Sequence, residues 1–244
     1  MSTANPKRLV ILGATGPSGQ QLVRQALHRG HAVTAVVINA SKFDEELKNH
    51  ENFSCEIITD INSADELSPH FANCDVVLSA LGYHGPKLGY FARGRLDFYV
   101  ESGKAILEAM KRAKAKRLIA ITSWLTKPDP RTPWQMRLNI LVNGYQPVLS
   151  DMGRMEDMFL SEPDIQFTAV RPPVLTDGGV TSHSIIADED QQLIFPVNRC
   201  QTRTFVTPTM SRADLARFMV DVVDGEMSNG DNGVYVGKLV TIGT

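Results

Sequence analysis

The stretch Gly13-Ala14-Thr15-Gly16-Pro17-Ser18-Gly19 decides how this chain folds. The apolar run at residues 8–12 before it is typical of a buried parallel strand, and residues 20–27 after it carry apolar side chains at helical spacing. A glycine turn between strand and helix lets the backbone approach a pyrophosphate, which the free N–H groups and positive dipole end of the helix attract. The stretch therefore predicts a dinucleotide-binding turn rather than an ordinary connection.

The glycines of this turn are spaced three apart, at Gly13, Gly16 and Gly19, so the pattern is G-x-x-G-x-x-G instead of the commoner G-x-G-x-x-G. Either spacing allows a sharp turn, a close backbone approach to a phosphate, and close packing of helix on strand. A P-loop is disfavoured because no Gly-Lys-Ser or Gly-Lys-Thr follows the glycines.

Length, charge and cysteine content describe an ordinary soluble domain. The chain has 244 residues, a net charge of −2 and 21% charged residues, so we expect no nucleic-acid partner and no membrane partner. Its three cysteines are scattered without metal-ligand spacing, which predicts reduced thiols, no metal site and a cytoplasmic location. The polar start and the shortness of the apolar runs argue against a secretory signal and a membrane span.

Strand-like and helix-like segments alternate along the chain. This alternation predicts a single domain over residues 1–244 with an α/β fold, a Rossmann-type, doubly wound and mainly parallel sheet. The predicted strands are residues 8–12, 32–38, 54–58, 75–80, 117–122, 166–170, 203–206 and 233–242. The predicted helices after the first are residues 63–71, 91–115, 148–160 and 211–224, whereas residues 123–150 show no clear period and are expected to be irregular.

Four of the predicted strands end on residues that could face a ligand. Ligands of open α/β sheets bind outside the carboxyl ends of the strands, so these four ends are expected to border one crevice. The residues at the ends are Asp60-Ile61, Leu81-Gly82, Thr122-Ser123 and Pro172-Pro173-Val174.

The end of the second strand normally selects between the two nicotinamide cofactors. An acidic residue there binds the ribose hydroxyls of NAD, whereas a basic residue accommodates the 2′-phosphate of NADP. This chain has Ile38 and Asn39 at that point, and its nearest cation is Lys42, which is alternatively a solvated lysine. The missing carboxylate favours NADP(H) over NAD(H).

A tyrosine general acid is predicted to be absent. Tyr83 and Lys87 have the Tyr-x-x-x-Lys spacing that lowers a tyrosine pKa, but Gly85 and Pro86 between them disfavour a helical turn. Beyond Ser123 the candidate is Tyr145, and the residue four positions later is a leucine.

The other candidate side chains are two tryptophans, two histidines and a charged pair on a helix. Trp124 and Trp134 could stack on a flat aromatic substrate or pack in the protein interior. His84 and His183 are interpreted as loop histidines. Arg154 and Glu156, on a predicted helix, are interpreted as a surface pair.

Several motifs together resemble the flavin reductase/biliverdin-IXβ reductase branch of the atypical short-chain dehydrogenases. The resemblance extends over nearly the whole chain, and the order of the motifs is more specific than any one of them. They are Gly13 to Gly19, Asp60-Ile61, Leu81-Gly82, Thr122-Ser123, Arg154-Met155, Arg171-Pro172-Pro173 and Ser211-Arg212-Ala213-Asp214-Leu215.

This resemblance implies that NADPH delivers hydride directly to a flavin or a linear tetrapyrrole, with Ser123 as the catalytic residue beside the nicotinamide. It places Trp124 and Met152 in the substrate pocket, within pocket segments around residues 123–150 and 172–210. Together with the strand-end positions, it implies cofactor contacts at Gly13, Thr15, Gly16, Pro17, Ser18, Gly19, Lys42, Asp60, Ile61, Leu81, Gly82, Thr122, Ser123, Pro172, Pro173 and Val174.

The chain also departs from that branch. Ile38 stands where the family usually has an arginine, and two histidines of the family's substrate pocket fall on Met152 and Val174. The segment between Ser123 and the following helix is longer here. Cofactor binding tolerates these changes, whereas the identity of the substrate does not follow from the resemblance.

The leading hypothesis is therefore an NADPH-dependent reductase of a small, flat, aromatic substrate. The alternative is a redox sensor that resembles the NmrA-like branch, binding NADP(H) without turning it over. An epimerase or ketoreductase is disfavoured because the tyrosine–lysine pair is absent. The oligomeric state is left open.

Overall fold

The computed structural model describes residues 5–85, 95–127, 134–189, 209–225 and 235–244. Strands and helices alternate as the sequence predicts. The strands are β1 (Arg8–Leu12), β2 (Ala32–Val37), β3 (Phe53–Ile57), β4 (Val76–Ser79), β5 (Arg117–Ile121), β6 (Gln166–Arg171), β7 (Val174–Thr176), β8 (Ile186–Asp188), β9 (Thr209–Ser211) and β10 (Lys238–Gly243). The helices are α1 (Pro17–His28), α2 (Glu45–Lys48), α3 (Ala64–Phe71), α4 (Phe98–Ala113), α5 (Trp134–Val142), α6 (Gln146–Leu160) and α7 (Arg212–Asp224).

Eight of the strands form one sheet in the order β3-β2-β1-β4-β5-β6-β10-β8. All neighbouring pairs are parallel except β10 and β8, which are antiparallel. The order of the first six strands is that of the Rossmann fold, and it reverses direction between β1 and β4. The predicted Rossmann-type, mainly parallel sheet is confirmed. A separate parallel pair, β7 and β9, lies beyond the end of β6.

Strand β1 shows how the sheet is held between two layers. Side chains alternate along a strand, so Leu9 and Ile11 enter the core shared with α1 and α7, while Val10 and Leu12 enter the core shared with α3, α4 and α6. All four side chains are buried. Burial on both faces explains why the strand is continuously apolar, as is usual for parallel sheets.

The start of α4 differs from the prediction. The helix begins at Phe98, so residues 95–97, which were predicted to be helical, precede it, and residues 91–94 lie outside the described part of the chain. Asp151 of α6 accepts hydrogen bonds from the N–H groups of Tyr99 (2.7 Å) and Val100 (3.4 Å) and thus caps α4 from another helix. Burial raises the pKa of Asp151, against the effect of these two hydrogen bonds and Arg154.

The prediction that residues 123–150 are irregular is wrong. Helix α5 occupies residues 134–142, and α6 starts at Gln146. The local sequence of α5 contains no glycine or proline, but its apolar residues stand at 134, 136, 138, 140, 141 and 142, which is not a helical spacing and explains why the pattern did not predict a helix. At the other end of the chain, Ser211 caps α7 as predicted, accepting from the Asp214 N–H at 2.9 Å. The predicted strand at residues 203–206 falls outside the described residues.

Candidate functional site

The glycine turn is held tightly against its neighbours. Gly13 has φ +70°, and a Cβ atom there would lie 2.5 Å from the carbonyl oxygen of Ala80. A Cβ on Gly19 would lie 2.2 Å from the carbonyl oxygen of Gly13. Both positions therefore require glycine for packing alone.

Gly16 is different from the other two glycines. Its backbone is extended (φ −74°, ψ 162°), and a Cβ atom there would be 3.3 Å from the Gly13 carbonyl oxygen, a tight but tolerable contact. Its N–H donates to that same oxygen at 3.0 Å. The fold does not demand glycine here, but the bare backbone leaves the turn open to an approaching ligand.

The N-terminus of α1 lies at this turn, and no side chain caps its first N–H groups. Gly16 is the N-cap residue, so no side chain caps the helix, and Pro17 occupies the first turn. No acidic residue lies in that turn. Such a terminus carries a partial positive charge that stabilises an anion, and a pyrophosphate is the ligand that a glycine turn at this place accommodates.

A cleft of about 520 Å³ opens beside the turn. Its size lies in the range of small-molecule and cofactor sites. It brings together seven of the predicted cofactor residues: Gly13, Thr15, Gly16, Lys42, Ile61, Leu81 and Gly82. The other lining residues are Val36, Val37, Ile38, Asn39, Ile58, Ala80, Tyr83, His84, Gly85 and Phe98.

The wall formed by the end of β2 bears no carboxylate. It consists of Val37, Ile38 and Asn39, with Lys42 beyond them, and the Ile38 side chain is 60% exposed. The nearest acid along the chain, Asp44, accepts from the Leu47 N–H and pairs with Arg24, and these contacts lower its pKa. The charge of Asp44 is therefore already compensated.

Asp60 and residues 17–19 lie beside the cleft rather than among its lining residues. The Asp60 carboxylate accepts from the Asn62 N–H at 2.9 Å, which forms a local turn after β3. Pro17 is exposed, Ser18 is half-buried and Gly19 is buried. Ile61, next to Asp60, does reach the cleft, where its apolar side chain provides a wall.

The ends of β5 and β6 belong to the same sheet edge but are not among the lining residues of the cleft, so the expectation that four strand ends border one crevice is met only by the residues that follow β3 and β4. The hydroxyl of Thr122 is turned inward and donates to Glu156 at 2.8 Å. Ser123, the next residue, is half-buried. Pro172 and Pro173 are buried, whereas the side chain of Val174 is 69% exposed.

Trp124 packs inside the protein. Its indole N–H donates to the carbonyl oxygen of Ile242 at 3.1 Å, and its backbone N–H donates to that of Pro172 at 3.1 Å. The side chain is only 8% exposed. The expectation that Trp124 stacks on a substrate is corrected: its indole joins the end of β5 to β10.

The interpretation of Arg154 and Glu156 as a surface pair is wrong. Glu156 is completely buried and pairs with Arg171, which is 1% exposed. Arg154 binds Asp97 and Asp151 instead. A charged residue on the buried face of α6 and an arginine at the end of an apolar strand were the signals that could have revealed the buried pair.

The remaining candidates occupy varied positions. Met152 is half-buried and packs against the core beneath α4 and α6. Trp134 is 68% exposed on α5. His84 is exposed at the cleft, and His183 is exposed with its N–H donating to Thr181. Lys87, which follows Tyr83 at the Tyr-x-x-x-Lys spacing that was judged coincidental, lies outside the described residues.

Within the described ranges, no group of histidine, cysteine, aspartate and glutamate side chains is arranged to hold a metal ion. No helix in the same ranges is both long enough and apolar enough to cross a membrane.

Known structures share this fold over nearly their whole length. Oxidoreductase ylbE from Lactococcus lactis superposes with a TM-score of 0.72 at 15% identity, covering 97% of this chain and 90% of its own. SP1627 from Streptococcus pneumoniae, which carries the provisional name NADH-flavin reductase, superposes with a TM-score of 0.65 at 19% identity, covering 97% of this chain and 99% of its own.

Sequence comparison identifies the family. The uncharacterised protein YwnB from Bacillus subtilis is 28% identical over 173 residues, which cover 70% of this chain and 73% of YwnB. The sequence profile of the NAD(P)H-binding family matches residues 13–226, from the first glycine of the turn to just beyond α7. The chain therefore belongs to the NAD(P)H-binding family.

Proposed function

We propose that this protein is an NADPH-dependent reductase that passes hydride to a flavin, a linear tetrapyrrole or a related flat acceptor. The observation that carries the proposal is the cleft at the carboxyl edge of the sheet. The uncapped N-terminus of α1 borders this cleft. The lining residues that follow β2 include Lys42 and no acidic residue.

The residues present fit a dinucleotide. The backbone from Gly13 to Gly16 and the first turn of α1 would hold the pyrophosphate, because no side chain caps α1 and a Cβ atom on Gly16 would meet no side chain within 4 Å. Ile61 would cover the adenine ring, and Leu81 and Gly82 would lie along the ribose at the end of β4. A bound nicotinamide cofactor supplies a hydride equivalent to the acceptor.

The sequence has no Tyr-x-x-x-Lys pair after Ser123, and this favours a flat conjugated acceptor over a ketone. Tyr145 is exposed at the start of α6, and Leu149, where a lysine would be needed, is buried. A flavin takes hydride at a ring nitrogen and needs no strong protein acid, so orientation provides most of the catalysis. In this proposal the Ser123 hydroxyl orients the nicotinamide or the acceptor.

The second candidate function is a redox sensor of the NmrA-like type, which binds NADP(H) and reduces nothing. The same absence of a tyrosine–lysine pair supports it. The two functions are distinguished by a titration of NADPH binding beside a measurement of NADPH oxidation with flavins, quinones and biliverdin. Oxidation well above the rate in buffer supports the reductase, and tight binding without it supports the sensor.

Lys42 is expected to contribute to cofactor selection. Because Lys42 lies in the cleft and is exposed, Lys42→Ala should weaken NADPH binding by about 1 kcal/mol and leave NADH binding nearly unchanged. Calorimetric titration of both cofactors measures the difference. Lys48→Ala, at a lysine paired with Glu45 on α2, is the matched control and should change neither affinity. Equal affinities of the wild type for NADPH and NADH would refute the proposed preference.

Helix α5 is proposed to cover the substrate. It exposes Trp134 (68%), Leu138 (49%), Leu141 (45%) and Val142 (59%), an apolar surface suited to a flat aromatic molecule. We expect saturating NADP⁺ and a flavin analogue to slow hydrogen exchange in residues 134–142, with α7 as the internal reference. Unchanged exchange in α5 would count against a cover.

A further inference from the structure

Glu156 is the centre of a buried network directly beneath the end of β5. Its Oε1 accepts from the Nε of Arg171 at 3.0 Å and from the Thr122 hydroxyl at 2.8 Å. Its Oε2 accepts from the second guanidinium nitrogen of Arg171 at 2.6 Å and from the Thr126 hydroxyl at 2.8 Å. Each carboxylate oxygen thus binds one nitrogen of the arginine and one threonine hydroxyl.

The network fixes both ends of a short segment, residues 122–126. Thr122 and Thr126 are buried and bound to Glu156, while Ser123 between them is half-buried. Because a hydrogen bond to a charged group is stronger than one between neutral groups, two such bonds hold this backbone firmly. This segment carries Ser123, whose hydroxyl must be oriented toward the nicotinamide or the acceptor in the proposed reaction.

Independent contacts bring the same segment close to α6. A Cβ atom on Gly153 would lie 2.5 Å from the carbonyl oxygen of Thr126, so only glycine permits this approach. The Lys127 ammonium donates to the Gly153 carbonyl oxygen at 2.9 Å. Leu125 has φ +63°, a backbone conformation that residues other than glycine rarely adopt. Such a conformation persists where the surrounding contacts hold it in place.

We propose that Glu156, held in place by Arg171, is a positioning residue that sets Ser123 against the reacting groups through Thr122 and Thr126. This inference rests on the proposed function. A buried carboxylate needs hydrogen bonds to the lone pairs that its ion pair leaves free, and the two threonine hydroxyls supply them. Because Thr122 and Thr126 lie on either side of Ser123, the same two hydrogen bonds also fix the backbone that carries Ser123, as a positioning role requires.

Thr126→Val tests the proposal, because it removes one hydroxyl, keeps the side-chain volume and leaves the ion pair in place. We expect kcat for NADPH oxidation with a flavin to fall about fivefold, no more than in Ser123→Ala, with little change in KM for NADPH. Thr126→Ser, which keeps the hydroxyl, should restore most of the rate. The matched control is Thr168→Val, since Thr168 is also buried and its hydroxyl donates to the Tyr235 carbonyl oxygen at 2.6 Å.

A double-mutant cycle separates positioning from stability. Ser123→Ala alone should slow turnover several-fold, and adding it to Thr126→Val should cause little further loss, because both act on one group. Independent, multiplying effects would overturn the proposal. So would a Thr126→Val variant that loses stability as Thr168→Val does but keeps the wild-type kcat.

A second measurement keeps the inference separate from the proposed function. The fluorescence of bound NADPH reports the surroundings of its nicotinamide whether or not turnover occurs. If the wild type does not oxidise NADPH, the proposed function fails, and the emission still decides the positioning role. Thr126→Val should shift this emission toward that of free NADPH while Thr168→Val leaves it unchanged. Wild-type emission in both variants would overturn the role of Glu156.

Discussion

Replacing Gly16 with aspartate is expected to abolish dinucleotide binding without unfolding the chain. The extended backbone at Gly16 can be adopted by any residue. An aspartate at this N-cap position would stabilise α1 by about a few tenths of a kcal/mol relative to glycine. The same carboxylate would repel a pyrophosphate by about 4 kcal/mol and occupy the N–H groups that would bind it. Calorimetry should show an affinity loss of roughly a thousandfold.

Gly16→Asn is the matched control for this variant. Asparagine has nearly the same size as aspartate and also caps a helix, but it carries no charge. Its affinity for NADPH should fall between those of the wild type and Gly16→Asp, and both variants should have thermal midpoints close to that of the wild type. Retained micromolar binding by a folded Gly16→Asp protein would refute the assignment of this turn.

Arg171→Met is expected to cause the largest loss of stability. It would leave the carboxylate of Glu156 buried with only the two threonine hydroxyls, and breaking such a pair costs about 3–5 kcal/mol. Urea unfolding measures this loss as a lower midpoint.

The double variant Glu156→Gln/Arg171→Met provides the check. It removes the uncompensated charge and keeps an acceptor for a threonine hydroxyl, so it should recover much of the lost stability. If Arg171→Met alone unfolds at the wild-type urea concentration, the buried pair is not as strongly coupled as its geometry indicates.

The sequence predicted the sheet and the glycine turn because both depend on local patterns. Continuous apolar runs such as residues 8–12 identify strands buried on both faces, and the glycines mark where strand, turn and helix meet. The cleft followed from a general property of parallel sheets, whose carboxyl ends share one edge. This is why Ile61, Leu81 and Gly82 were found correctly among its lining residues.

The features that were missed depend on partners distant in the chain. The position of Glu156 on the buried face of α6 hints at a buried charge, but the residue that neutralises it, Arg171, belongs to another element 15 residues away, so local reasoning interprets Glu156 as a surface charge. The aromatic ring of Trp124 could contact a substrate or pack in the core. Its hydrogen bond to the carbonyl oxygen of Ile242, which is distant in the chain, shows that it packs in the core. The start of α4 was misplaced because its cap comes from Asp151 of another helix.

The central claim, that this NAD(P)H-binding protein is a reductase, is tested most directly by a single-turnover experiment. Equal amounts of protein and NADPH are mixed without oxygen, an acceptor is added, and the near-ultraviolet absorbance of NADPH is followed. With a flavin or biliverdin, we expect the absorbance to decay about a hundredfold faster than in buffer, and Gly16→Asp should abolish the acceleration. Tight NADPH binding with decay no faster than in buffer, for every flavin, quinone and tetrapyrrole, would contradict the account and identify a sensor.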